Sequence, residues 1–388
     1  MTTASPTRTA TPSPILLMAR HAAALRAQGQ DVIDLTLGEP DFDAPAHVLL
    51  ATHAALGQRQ SYSPANGLPR LREAIRWRVS HDRGLHYRED QVAVGCGAKQ
   101  VIFNAFMATL QPGDEVLLPA PYWASYPDMI RLCGAQPVVL PTTAAEGFRL
   151  TAEHLAAALE LSPNARWLVL NAPGNPSGST YSVAQLRELA EVLRGYPQLM
   201  ILSDDIYAEI RFTDQPYATL AAVAEDLNER TLLVDGVSKA YAMTGWRVGW
   251  GCGPAPLVAA INAIQSQNCT QTSTLSQLAT IAALEGERDF LIERNAIYRQ
   301  RRDAALAVLR TSQTLDVLSP EGAFYLLPRI KGTHDDQDVA MDLLKVGVAT
   351  VPGSAFGAPG HLRLSFATDQ ATLVKGCQRL VSALGDRP

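Results

Sequence analysis

From residue 91 onward the chain repeats one unit. A short apolar run ends in glycine or a polar residue, and a stretch of roughly a dozen residues with helical spacing follows. "QVAVGCG" (91–97) leads into "AKQVIFNAFMATL" (98–110), and "DEVLLPAP" (114–121) into "WASYPDMIRLCG" (123–134). "QPVVLPT" (136–142) precedes "TAEHLAAALEL" (151–161), which opens on a capping threonine. "RWLVLNAP" (166–173) precedes "SVAQLRELAEVLRGY" (182–196), capped by Ser182, and "LMILSDD" (199–205) and "TLLVDG" (231–236) are further apolar runs. Strand, helix, strand at these lengths makes βαβ units and a mainly parallel sheet. Ligands of such sheets lie beyond the carboxyl ends of the strands. Gly97, Tyr122, Asn171, Asn175, Asp204 and Lys239 all fall there.

Residues 254–268 and 275–312 read as largely continuous helix, and "EGAFYLLPRI" (321–330) and "HLRLSFAT" (361–368) as strands with helices between and after them. That suits a smaller α+β domain at the C-terminus, and 388 residues suit two domains better than one. The first dozen residues, rich in Thr, Ser and Pro, read as a mobile arm without the apolar core of a signal peptide. No apolar run approaches the length of a membrane span. The net charge of −5 argues against a nucleic-acid partner, which favours a basic face. Five widely spaced cysteines without a CxxC read as free thiols in a reducing cytoplasm, and eight histidines without HxxxH or HExxH spacing give no metal site.

Several polar residues invite chemistry, and each has a plain alternative. Lys239, in "VSKAYAMTGWR" (237–247), is either a surface cation or a reactive amine. Asp204 follows "LMIL" and serves either as a helix N-cap or as a buried carboxylate that needs a cation. Tyr207 lies three residues on, where one turn presents both to the same side. "NAPGNPSG" (171–178) is a tight turn whose ends carry Asn171 and Asn175. Arg247 precedes the apolar "VGWGCG" and calls for an anion. Gly97, Ala98 and Lys99 form a strand-to-helix corner whose N–H groups suit a phosphate, without a Walker A or GxGxxG pattern. Alternation in "HLRLSFA" puts Arg363 opposite Leu362 and Leu364, as a site residue or a solvent-facing arginine on an edge strand.

Together these parts are what a pyridoxal phosphate enzyme requires: an amine for a Schiff base, an acid for the pyridinium nitrogen and donors for the phosphate. In order and identity the sequence resembles the fold type I, class I/II aminotransferases, most closely the bacterial branch of aspartate aminotransferases. The matching blocks run from Leu35 to Ala367, and "SKAYAMTGWRVGW" is the most specific. The resemblance implies an α/β PLP-transferase fold: a mainly parallel seven-stranded sheet with helices on both faces, plus a smaller α+β domain. It implies a cofactor, pyridoxal 5′-phosphate, and a division into residues 1–44 (arm and segment joining the small domain), 45–285 (large domain) and 286–388 (small domain). Carried over by position, Lys239 would bind the cofactor aldehyde and move the proton, with Ser238 beside it at the cofactor, and Asp204 would pair with the pyridinium nitrogen. Tyr207 and Asn175 would bond the ring oxygen, Trp123 would stack on the ring, and Arg247 with Gly97, Ala98 and Lys99 would hold the phosphate. Tyr62, in "SYSPANG", would reach the neighbouring subunit's phosphate, which implies a homodimer with shared sites. Arg363 and the backbone of Gly38 would take the substrate α-carboxylate. A serine found in animal-type relatives three residues before the lysine is replaced here by Gly236.

In the resembled bacterial enzymes a lysine at position 99 meets the distal carboxylate of an acidic substrate. Small-molecule amino acids and 2-oxo acids are therefore the expected partners, with aspartate or glutamate as the favoured donor and 2-oxoglutarate as an acceptor. Lys99 could instead offset only the phosphate. Ile15, in "TPSPILLMA", stands about where that branch often carries a threonine, which makes an aromatic or broad-specificity aminotransferase the runner-up and weakens prephenate as acceptor. A β-lyase or ring-forming synthase would use the same lysine, aspartate and arginine. A transcription regulator with an aminotransferase-like domain is disfavoured, because the residues before "LTLGEPDF" hold no helix-turn-helix.

Overall fold

The computed structural model describes residues 13–332 and 335–385. The arm expected over the first dozen residues lies outside the described residues. The N-terminal segment contributes helix α1 (Pro14–Ala27) and a two-residue strand, β1 (Ile33–Asp34). The central sheet then collects β2 (Val92–Gly95), β3 (Glu115–Ala120), β4 (Gln136–Pro141), β5 (Ala165–Asn171), β6 (Met200–Asp204), β7 (Thr231–Gly236) and β8 (Gly249–Cys252). Their spatial order is β2-β8-β7-β6-β5-β3-β4.

Helices cover both faces of the sheet, and β5 shows why. Trp167 and Val169 point into one core, with residues of α2 (Ala98–Thr109). Leu168 and Leu170 point into another, with α3 (Ala152–Leu161) and α4 (Val183–Arg194). A strand buried on both faces is apolar at every position, so its sequence is a run rather than an alternation. Each such large side chain contributes about 1.5–3 kcal/mol on burial. Thr151 and Ser182 cap α3 and α4 through their side-chain oxygens, and Ser182 forms a capping box with Gln185.

The sequence marks β8 only as an apolar segment, and the structure makes it a strand of the central sheet. It is antiparallel to both β7 and β2, whereas β7-β6-β5-β3-β4 pair in parallel. No helix long enough for a crossover separates β7 from β8, so the chain turns straight back. The register pairs Gly236 with Gly249. Residues 237–248 thus form a loop zipped at both ends, and that loop carries Lys239 and Arg247.

The helix expected over 254–268 is α5 (Ala255–Asn268), but the continuous helix expected over 275–312 is two: α6 (Thr274–Glu285) ends before Gly286, and α7 (Phe290–Leu309) restarts after it. In the C-terminal region β9 (Leu315–Asp316), β10 (Tyr325–Leu326), β11 (Arg329–Ile330), β12 (Val348–Ala349), β13 (Val351–Pro352) and β14 (Leu362–Ser365) are shorter than the runs suggested. Order β10-β14-β13 places β14 in the middle of its sheet, not at an edge. Helices α7 and α8 (Gln370–Gly385) pack together beneath it, and β1 pairs in parallel with β12. Among the described residues no helix is long and apolar enough to cross a membrane.

Candidate active site

Lys239 sits in the zipped loop after β7. It is partly buried, and its Nζ donates to the Gly38 carbonyl at 2.7 Å and lies 6.0 Å from the Tyr207 ring centroid. Burial pulls its pKa from 10.5 down to about 8; Glu39 opposes that shift, and Arg247 and Arg363 add to it. An amine in that range exchanges a proton near neutral pH. Ser238, immediately before it, is buried.

Asp204 ends β6 in the interior. The Tyr126 hydroxyl donates to its Oδ2 at 2.5 Å and the Ile206 N–H to its Oδ1 at 3.3 Å. Burial raises its pKa to about 6, partly countered by the Tyr126 bond. On the neighbouring strand, Asn171 donates through Nδ2 to the Asp204 carbonyl at 2.9 Å, and its Oδ1 accepts the Asn175 N–H at 2.9 Å. Asn175 Oδ1 in turn accepts from Arg363 Nη1 at 3.1 Å. Amides therefore link the acid at one side of the site to the guanidinium at the other.

Arg363 is only 1% exposed. The alternative of a solvent-facing arginine on an edge strand fails: β14 is a central strand covered on both faces, so Arg363 is buried opposite the buried Leu362 and Leu364. Its Nη2 donates to the Thr36 carbonyl, and its guanidinium stacks 4.5 Å from the Tyr325 centroid and 4.9 Å from that of Phe356. Its Nε is buried without a partner, and it forms no ion pair among the described residues. Burial lowers its pKa. An unpaired buried cation costs several kcal/mol, so the site favours an anion. Beside it, the Tyr207 and Tyr325 hydroxyls share a 2.8 Å hydrogen bond.

The corner before α2 forms an anion cup. Gly97 has φ +84, a conformation that favours glycine, and the Arg247 guanidinium lies where a Cβ would stand, so a side chain there would displace it. Its N–H is spent on the Gly95 carbonyl at 2.7 Å, and those of Ala98 and Lys99 in the first helical turn are the donors left for a ligand. Gly249 presses against the Ala98 backbone, where no side chain would fit. Arg247, itself at φ +55, donates to the carbonyls of Thr244 (2.9 Å) and Cys96 (3.2 Å). Lys99 Nζ bonds Ser125 Oγ at 3.1 Å and lies 4.7 Å above the Trp123 ring, which meets Tyr126 edge-on at 5.2 Å. Burial, then Arg247, lowers the Lys99 pKa.

Two residues singled out from the sequence stand apart from this cluster. Tyr62 is 88% exposed, on a segment held by the Thr274 hydroxyl on the Ser61 carbonyl (2.7 Å) and by Gln271 on the Ser63 N–H. Ile15 is half-buried in the first turn of α1, which packs on β13, the strand paired with Arg363's strand. Tyr126, Tyr325, Phe356 and the Thr36 carbonyl escaped the sequence reading. Thr36 had a signal in its place in "LTLGEPDF" near Gly38, and Tyr126 one in its place three residues after Trp123.

A partly enclosed amine near neutrality, a buried carboxylate and a glycine-lined cup with an arginine fit pyridoxal 5′-phosphate. The comparisons agree. The family model described as aminotransferase class I and II matches residues 30–380. An aspartate aminotransferase of Rhizobium meliloti (strain 1021) is 44% identical, covering 96% of this chain and 93% of its own. An aspartate/prephenate aminotransferase of Cereibacter sphaeroides is 41% identical, with 95% of each chain covered. The crystal structure of an aspartate aminotransferase from Rhizobium meliloti superposes with a TM-score of 0.95 at 42% identity over 99% of each chain. That of the Thermus thermophilus aspartate aminotransferase with maleate gives 0.94 at 37% identity, covering 99% of this chain and 100% of that one. The chain belongs to the class I and II aminotransferases. It is a pyridoxal-phosphate-dependent transaminase of fold type I, acting on amino acids and 2-oxo acids.

Proposed function

We propose that the amino donor is dicarboxylic, aspartate or glutamate, with 2-oxoglutarate as an acceptor. One observation carries this: two cations, Arg363 and Lys99, form no ion pair with a carboxylate among the described residues. A substrate with two carboxylates answers both. The Thermus neighbour's dicarboxylate, maleate, and the relatives' aspartate names support the same reading.

When bound, the cofactor supplies an electron sink for the bond broken at the substrate Cα. Lys239 is the group that takes and returns the Cα proton at its Nζ. Asp204, ionised above about pH 6 and oriented by Tyr126, would balance the cofactor's ring cation. Arg363 grips the α-carboxylate with its planar fork, held in place by Asn175 and Thr36. Arg247 and the first turn of α2 would hold the phosphate, Trp123 would lie against the ring, and Tyr207 and Asn175 would serve its oxygen. Residues 45–285 act as the cofactor domain and 286–388 as the domain that carries the carboxylate clamp, with 1–44 joining the latter. A homodimer, in which exposed Tyr62 completes the partner's phosphate cup, and a cytoplasmic location consistent with five free cysteines complete the proposal.

Lys99→Met tests the substrate reading. Losing one charge-assisted contact, about 1.5–3 kcal/mol, lowers kcat/KM for aspartate roughly 10- to 150-fold in single-turnover half-reactions. Phenylalanine is expected to be unaffected or improved. An equal loss with both donors, together with weaker cofactor retention, would assign Lys99 to the phosphate alone. The names of the aspartate/prephenate relatives favour a second reading, an acceptor as bulky as prephenate. Adding prephenate to the acceptor panel decides it, and no turnover removes it.

A further inference from the structure

Cys96 and Cys269 lie 173 residues apart in sequence, yet their Sγ atoms approach to 3.8 Å. Both are partly buried, whereas Cys133, Cys252 and Cys377 are buried. Gln100 orients the pair: its Oε1 accepts the Cys96 N–H at 2.6 Å and its Nε2 donates to Cys269 Sγ at 2.9 Å. Thr272 Oγ1 donates to Cys96 Sγ at 3.2 Å. A disulfide, ~2.05 Å long, requires the sulfurs to close by roughly 1.8 Å. Cys269 follows the last turn of α5, next to Thr270 at φ +66, so a chain corner rather than a helix interior takes up the movement.

The position connects this pair to the cofactor. Cys96 directly precedes Gly97, and its carbonyl accepts from Arg247. Thr272 also donates to the Arg247 carbonyl at 3.1 Å. We propose that Cys96 and Cys269 close reversibly to a disulfide in thiol–disulfide exchange and that closure loosens the phosphate cup. The Cys96 thiolate attacks a low-molecular-weight disulfide and expels one thiolate. The Cys269 thiolate then attacks the Cys96 sulfur and expels the second. The two protein thiols lose two protons and two electrons, and the oxidant becomes two thiols.

The test equilibrates the holoenzyme with glutathione disulfide, quenches with acid and maps peptides without reduction. Titratable thiols fall from five to three, the Cys96 and Cys269 peptides become linked, and pyridoxal phosphate dissociates faster than from the reduced enzyme. Dithiothreitol reverses all three changes. Cys269→Ser keeps ordinary cofactor retention and loses the response to oxidant. Absence of the linked peptide, or a stable glutathione adduct on Cys96 in its place, overturns the pairing. A linked peptide with unchanged cofactor dissociation overturns the coupling to the cup.

Discussion

The depressed Lys239 pKa makes a stability prediction of unusual sign. Holding the ammonium in the site moves its pKa from 10.5 to about 8, which corresponds to about 3 kcal/mol against the charged form. Lys239→Met removes that cost in the cofactor-free protein and loses the bond to the Gly38 carbonyl, worth about 1 kcal/mol. At pH 7 the variant should therefore be more stable than the natural chain by about 2 kcal/mol. The pH dependence follows from the direction of the shift. Between about pH 8 and 10.5 the unfolded chain holds the lysine proton more tightly than the folded one, so the natural protein gains stability as pH rises and the variant does not. By about pH 10 the remaining penalty, about 1 kcal/mol, matches the lost hydrogen bond and the difference vanishes. Urea unfolding of both cofactor-free proteins at pH 7 and 10 reads this directly, since other titrating groups are common to both and cancel. A variant less stable at pH 7, or a difference that ignores pH, refutes the electrostatic account. The same variant should show no transamination, and near-normal turnover would remove Lys239 from the reaction.

Asp204→Asn should weaken cofactor binding about a hundredfold, measured by equilibrium dialysis, because a neutral amide cannot balance the ring cation. It should also abolish a slope in the cofactor-free protein: with its pKa raised to about 6, Asp204 makes stability fall as pH rises from about 4 through 6. Arg363→Lys keeps the charge but loses the fork, and should cost roughly 10²–10³ in kcat/KM with cofactor retention unchanged. An unaltered half-reaction would take Arg363 out of the site. For Tyr62, mixing Tyr62→Ala with Lys239→Ala chains should restore one complete site per mixed dimer; no recovery of activity would contradict a shared site.

The parallel sheet was legible because its strands are buried on both faces and therefore read as apolar runs. Strand β8 was not, since "GWGC" has no periodicity and owes its pairing to the loop that precedes it. The break at 286–289 was hidden because "GERD" holds one glycine and no proline to interrupt a helical reading. Lys239, Asp204, Asn175, Arg247 and Arg363 were found as motif positions. The groups that orient them were not, because tertiary folding alone joins them. Tyr126 is 78 residues from the Asp204 it bonds, and Thr36 is 327 from Arg363. Arg363 also shows the limit of alternation: period two assigns a face, but in a covered sheet both faces are inside.

"SDDIY" contains two adjacent buried aspartates with different fates, and the difference marks the site. Asp205 accepts from Ser203 Oγ at 2.8 Å and pairs with Arg83 Nη1 at 3.5 Å, while Arg83 Nη2 holds Asp235 at 2.5 Å. Those charges close on one another inside the fold and leave nothing for a ligand. Asp204 meets only neutral donors, Tyr126 and the Ile206 N–H. Lys239 and Arg363 hydrogen-bond only carbonyl oxygens, backbone or amide. Each of these three arrangements leaves a charge short of its counterpart, at a cost a purely structural cluster would have no reason to carry. A small molecule that brings a ring cation to Asp204 and a carboxylate to Arg363, as proposed above, would supply the missing opposite charges. Uncompensated charges of both signs gathered together thus support the proposed site and separate Asp204 from Asp205 where sequence position cannot, whereas buried Asp336, which meets only the Ser354 and Gly360 N–H groups, shows that one unpaired carboxylate alone is no such mark.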